Sequence, residues 1–267
     1  FVISNGTHTK YYSNTTRHSA IKERDGKRKS KKTSNSFEFT SFWADANNKT
    51  IPDLVDFTKT FLAKHAILKI LTQFCVFTSN KMLMVMRPYQ IAATEAIVNQ
   101  IQIAENYKRW GKLQAGGYVW HTTGSGKTLT SFKAAQIVSE LPYVDKVMFV
   151  VDRQDLDYQT MREYDRFEKG AANGSKNTEK LKKNLDDDTK KIVVTTIQKL
   201  DSFIKKYDDH TIFGKKCILI FDECPRSQFG QAKSPIVSSA WYCSPQHSSS
   251  RCTPINYLRG RDRRNDR

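Results

Sequence analysis

Two short segments carry residue types suited to phosphate chemistry, each at the end of an apolar run. The first, His121-Thr122-Thr123-Gly124-Ser125-Gly126-Lys127-Thr128, follows Gly117-Tyr118-Val119-Trp120 and precedes an amphipathic stretch from Leu129 to Ile137. Strand, glycine loop and helix in that order are what phosphate binding needs. Gly124 and Gly126 let the backbone N–H groups around Ser125 turn inward, and the following helix N-terminus adds positive potential. Lys127 can then reach the β and γ phosphates of ATP, and Thr128 can ligate Mg²⁺. A strict form of the pattern has glycine where this chain has His121, so the match is to a relaxed form. The second segment, Ile218-Leu219-Ile220-Phe221-Asp222-Glu223, is an apolar run ending in two carboxylates. By itself such an ending is an ordinary polar strand end. Paired with the loop, Asp222 would hold Mg²⁺ through water and Glu223 would orient and deprotonate the attacking water.

These groups need a scaffold, and the intervening sequence supplies one. Apolar runs at 117–120, 146–151, 192–195 and 217–221 alternate with helical stretches, one reaching about Glu140 and another about Phe167. Strands that are apolar throughout and separated by helices imply an α/β fold with a parallel sheet covered on both faces. In such sheets ligands sit at the strand C-termini, where both motifs fall. Upstream, residues 88–106 read as a helix with Pro88 in its first turn, and Ile51 to about Phe77 as another starting at Pro52-Asp53. Two short strands flank the Ser4-Asn5-Gly6 turn, and the basic stretch Lys22 to Lys32 reads as an exposed loop.

The formal charge of +17 and pI near 9.6 favour a polyanionic partner, nucleic acid or acidic lipid. The longest apolar-rich stretch, Phe61 to Phe77, is interrupted by Lys64, His65, Lys69 and Gln73, so no membrane span is expected and the protein should be soluble. The first residues lack an initiator Met and a signal-peptide pattern, as if the chain began inside a folded unit. Its five cysteines show neither C-x-x-C nor zinc-ligand spacing, consistent with reduced thiols in a cytoplasmic protein.

Together the segments Trp120 to Thr128 and Phe149-Val150-Val151-Asp152-Arg153-Gln154-Asp155-Leu156-Asp157-Tyr158-Gln159 resemble the R (endonuclease and motor) subunit of type I restriction enzymes. The resemblance continues through Tyr164-Asp165-Arg166-Phe167, Val194 to Leu200, Ile220 to Cys224, Met86-Arg87-Pro88-Tyr89-Gln90 and the opening Ile3 to Tyr12, covering residues 1 to about 230. It implies a helicase-superfamily-2 engine. Two RecA-like domains would translocate double-stranded DNA with ATP, an N-terminal nuclease domain would cut it, and modification and specificity subunits would complete the complex. By the same resemblance Gln90 reads the adenine edge, and Arg153, Gln159, Thr195 and Thr196 fall in motifs that face DNA. Taken alone, Gln90 reads as a helix-surface glutamine, and Arg153 and Gln159 as a solvated helix start. The resemblance divides the chain into a nuclease-domain remnant with the basic loop (1–45), a helical linker (46–85), the first RecA-like ATP-binding domain (86–233) and a tail (234–267).

Departures from the family pattern shape the expectations. The family's Asp-Glu-Cys-His is Asp222-Glu223-Cys224-Pro225 here, and proline has no side-chain donor or acceptor with which to relay nucleotide state. The nuclease core and the second RecA-like domain, with its arginine finger, are not recognisable. ATP binding with hydrolysis near background is therefore expected, since such an arginine contributes roughly 10³- to 10⁵-fold in rate. The Ser-, Pro-, Cys- and Arg-rich residues after about 234 read as disordered, either frameshifted sequence or a natural basic tail. The strand that should complete the sheet is unrecognisable between 231 and 250, which predicts an open sheet edge. Alternative readings are a passive basic module that binds DNA or docks a subunit, and a fragment of a free-standing superfamily 2 helicase.

Overall fold

The computed structural model describes residues 1–18, 39–121, 125–151, 154–167, 170, 173–175, 177–222 and 239–244. The basic loop, Gly124, Arg153, Glu223, Pro225 and the sequence beyond 244 lie outside these residues. The chain forms two compact units whose boundary falls between Thr94 and Glu95, with Arg166–Glu168 grouped with the first.

The first unit begins with an antiparallel sheet in sequence order, β1 (Val2–Ser4), β2 (Thr9–Tyr11) and β3 (Ser41–Phe42). Gly6 makes the β1–β2 turn at φ 95°, where a side chain would be strained. Tyr11 organises the core below. Its ring lies 4.9 Å from Phe61 and 6.2 Å from Trp43, and its hydroxyl donates to the Met86 carbonyl at 3.1 Å. Burial pushes the phenol's pKa well up, so this hydroxyl remains a donor. Residues 1–45 and 46–85, expected as separate segments, thus share one core.

Where a single helix was expected over 51–77, the chain makes α1 (Leu54–Thr60), α2 (Lys64–Gln73) and then a hairpin of β4 (Cys75–Phe77) and β5 (Leu83–Val85). Asp53 caps α1, its carboxylate accepting from Val55 N–H at 2.8 Å and Asp56 N–H at 3.1 Å. Thr58 and Thr60 hydroxyls bond back to carbonyls of α1, an arrangement that weakens a helix, and Phe61 turns into the core at the break. Helix α3 (Pro88–Asn106) follows as the sequence indicates.

The second unit is an α/β sheet. Its elements are β6 (Gly117–Trp120), α4 (Lys127–Ser139), β7 (Lys146–Val151), α5 (Gln154–Phe167), β8 (Asn173–Gly174), α6 (Thr178–Asp186), β9 (Ile192–Thr196), α7 (Ile197–Lys206), β10 (Cys217–Asp222) and β11 (Ser239–Ser244). All pairings are parallel, in the order β6-β11-β10-β7-β9-β8. Every residue of β7 and β9 is buried, and Met148, Val150, Leu181, Val193, Phe203 and Leu219 form the heart of one core.

Strand β11 corrects the expectation that everything after 234 lacks structure. Ser-Ala-Trp-Tyr-Cys-Ser is not a continuous apolar run, so it carries no strong strand signal, yet it occupies the slot between β6 and β10. There it pairs Ile218–Asp222 on one side and Gly117–Trp120 on the other, so the sheet is continuous where an open edge had been expected. Backbone pairing on both sides satisfies the strand's N–H and C=O groups, which local composition does not reveal.

Lys146 is the core's least expected member. It is fully buried, and its Nζ donates to the carbonyls of Asn184 (3.2 Å), Asp187 (2.6 Å) and Lys190 (2.9 Å). Burial lowers its pKa below the ordinary lysine value. The lysine caps the C-terminal end of α6 from the amino-terminal edge of the sheet.

Candidate phosphate and magnesium site

The strand register places the two motifs side by side. Asp222 pairs with Cys243, and Cys243 pairs with Val119, so the last residue of β10 is level with the end of β6, two strands away. At about 4.8 Å per strand that separation is roughly 10 Å, a span that a nucleotide's phosphates and a cation can bridge. Phe221 pairs with Val150, and Val150 with Thr195, which brings the ends of β7 and β9 to the same edge.

The loop that leaves β6 enters α4 through Gly126. This residue is the helix N-cap, with φ 81° and ψ 42°, and its cap has no side-chain hydrogen bond. Only glycine adopts that left-handed geometry without strain. The first-turn N–H groups, beginning with Lys127 and Thr128, are of the kind that can face an anion. Substituting Gly126→Ala should cost about 1 kcal/mol of stability through backbone strain and weaken ATP binding more than tenfold. Urea unfolding and nucleotide titration of the same sample check both effects.

Helix α4 is buried on most sides, through Leu129, Phe132, Ala134, Ala135 and Val138. Its first turn is held from within. Ser131 Oγ donates to the Thr128 carbonyl at 3.0 Å and lies 3.3 Å from Tyr164 Oη on α5. Tyr164 is fully buried, with its ring 5.1 Å from Phe132 and 5.3 Å from Phe149. The tyrosine belongs to a motif that resemblance had picked out, but its role in bracing the phosphate helix emerges only from the packing.

His121, in the position of the pattern's first glycine, is buried, and its Nδ1 lies 3.0 Å from Ser125 Oγ. Burial, and then the nearby Lys127 ammonium, lower its pKa, so the ring is neutral at pH 7. The sign follows. With the folded-state value depressed, the neutral ring's contribution to stability is fully present above about pH 6.5 and is lost as pH falls through the lower folded value. An NMR titration of the imidazole should give a midpoint below that of an ordinary histidine, and Lys127→Ala should move it upward.

The other sequence-derived candidates divide. Gln90 is buried, not a surface glutamine; its Oε1 accepts from Arg87 N–H at 2.9 Å, which caps α3, and it belongs to the first unit. Gln159 lies within α5. Thr195 and Thr196, expected to face DNA, are instead fully buried, and the Thr196 hydroxyl caps α7 by accepting from Lys199 N–H at 3.3 Å. A threonine at the end of a buried strand that runs directly into a helix serves the backbone first. Gly124, Arg153 and Glu223 lie outside the described residues. Thr128 and Asp222 are hard oxygen donors of the type Mg²⁺ takes, at one sheet edge. No helix among the described residues is long and apolar enough to cross a membrane.

The parallel sheet, the glycine-capped loop helix and the carboxylate strand at one edge define an α/β nucleotide-binding domain, and residues 89–240 match the SWI2/SNF2 ATPase family. The chain belongs to the endonuclease subunits of type I restriction enzymes. It is 50% identical over 200 residues to the C-terminal part of the MpnIIP endonuclease subunit of Mycoplasma pneumoniae, covering 73% of this chain and 97% of that protein. It is also 41% identical over 233 residues to the SsaAORF53P endonuclease subunit of Staphylococcus saprophyticus, covering 86% of this chain but only 22% of that longer protein. Among solved structures, the UvsW helicase of bacteriophage T4 covers 91% of this chain and 90% of its own at 16% identity and a TM-score of 0.47.

Proposed function

We propose that this chain binds ATP–Mg²⁺ at the carboxyl edge of its parallel sheet and serves as the nucleotide-binding part of a DNA-translocating motor in a type I restriction complex. One observation carries the reading: the end of β6, which leads to the Gly126-capped helix, and the end of β10 at Asp222 lie level at one sheet edge, two strands apart. Lys127 would hold the β and γ phosphates, Gly124, Ser125 and Gly126 would line them with backbone N–H groups, and Thr128 and Asp222 would hold Mg²⁺. Bound magnesium supplies charge neutralisation across the phosphates; Glu223 would orient the attacking water. Arg153 and Gln159 would meet double-stranded DNA. Modification and specificity subunits would be its partners, in the cytoplasm.

The charge of +17 favours a second reading, a basic module that binds DNA without chemistry. ATP binding and DNA affinity measured on one sample separate the two. The motor reading expects ATP binding that responds to duplex DNA. The passive reading expects no nucleotide binding and only a salt-dependent DNA affinity, with a slope near −4.5 for about five phosphate contacts.

A further inference from the structure

We propose that His121 is a positioning residue of the phosphate site, its imidazole holding the Ser125 hydroxyl so that the end of β6 is tied to the residue before the Gly126 cap before nucleotide arrives. The inference rests on the nucleotide reading and adds to it a residue that the glycine pattern does not contain.

The geometry supports a strut. His121 directly follows β6 and is 3% exposed, so its ring is fixed by packing. Ser125 directly precedes Gly126, the left-handed cap whose own residue offers no side-chain hydrogen bond to the helix. The 3.0 Å contact between Nδ1 and Oγ therefore ties the end of the strand to the residue that launches the helix. A neutral ring carries one donor and one acceptor nitrogen, which a hydroxyl can meet in either sense. Holding Ser125 in advance removes part of the ordering cost from binding, which appears as affinity.

The test uses the full chain, with ATP–Mg²⁺ as ligand and imidazole ¹⁵N shifts as a second readout. His121→Ala and Ser125→Ala should each weaken ATP binding by the folded protein about fivefold, the size of one ordinary hydrogen bond. The double variant should be no weaker than either single one, because one contact is lost in each case. His121→Asn sets an amide near the place of Nδ1 and should restore affinity to within twofold, whereas His121→Gln extends past it and should not. Ser125→Ala should shift the Nδ1 resonance whether or not ATP is present. Additive losses, rescue by Gln in place of Asn, or an Nδ1 signal indifferent to Ser125→Ala would overturn the strut. Should the unaltered chain bind no ATP, the nucleotide reading fails; the strut is then decided by the Nδ1 shift alone, a shift upholding it and an unmoved signal overturning it.

Discussion

Lys127→Ala should lower ATP affinity about a hundredfold while leaving the fold's stability unchanged or slightly higher. A charged hydrogen bond contributes up to about 3 kcal/mol, and that factor follows from the loss of one ammonium from the β and γ phosphates. The stability sign is opposite for a physical reason. Lys127 is the first residue of α4, where the helix dipole presents positive potential. A cation placed there costs about 0.3 to 1 kcal/mol, so alanine relieves the helix. Paired ATP titrations and thermal melts check this, and a fall in melting temperature that tracks the lost affinity would assign Lys127 to structure.

The second large effect lies at the other end of the same sheet. Lys146→Met should destabilise the second unit by about 3 kcal/mol, because it removes the donor from three carbonyls at once, one of them buried and two half-buried. The methionine fills the space of the lysine stem but cannot donate to Asn184, Asp187 or Lys190. ATP affinity of the folded fraction should hold. Lys146 opens β7 at the amino-terminal edge, whereas the nucleotide edge begins where Val151 closes the strand about 17 Å away. Urea unfolding gives the stability change and ATP titration at low urea tests the independence.

These two lysines show what sequence reveals. The expectation for Lys127 comes from glycine, lysine and threonine spacing, which has a mechanical meaning without coordinates, and the structure adds that Lys127 opens α4 behind the Gly126 cap. Lys146 was not legible, since a lysine beside an apolar run normally reads as a solvated strand end, and its three acceptors lie 38 to 44 residues away in the chain. The strands β7, β9 and β10 were legible as unbroken apolar runs, the signature of burial on both faces. Strand β11 was missed because its place is set by two neighbours far off in sequence, not by its own composition. The break at Phe61 is not visible in sequence because helical spacing persists across Phe57, Phe61, Leu68 and Leu71 even though the threonines before it undo the helix. Thr195 and Thr196 stand at the end of β9 but are fully buried, and the Thr196 hydroxyl caps α7, which a motif read along the chain does not reveal. His121 was noted as a departure from glycine, and only the contact with Ser125 gives it a task.

The most direct test is calorimetric titration of the unaltered chain with ATP in the presence and absence of Mg²⁺. The expected result is one site per chain, tighter with Mg²⁺ and lost in Lys127→Ala. A folded chain, with intact helical circular dichroism, that takes up no ATP at millimolar concentration would contradict the assignment of this sheet edge to nucleotide.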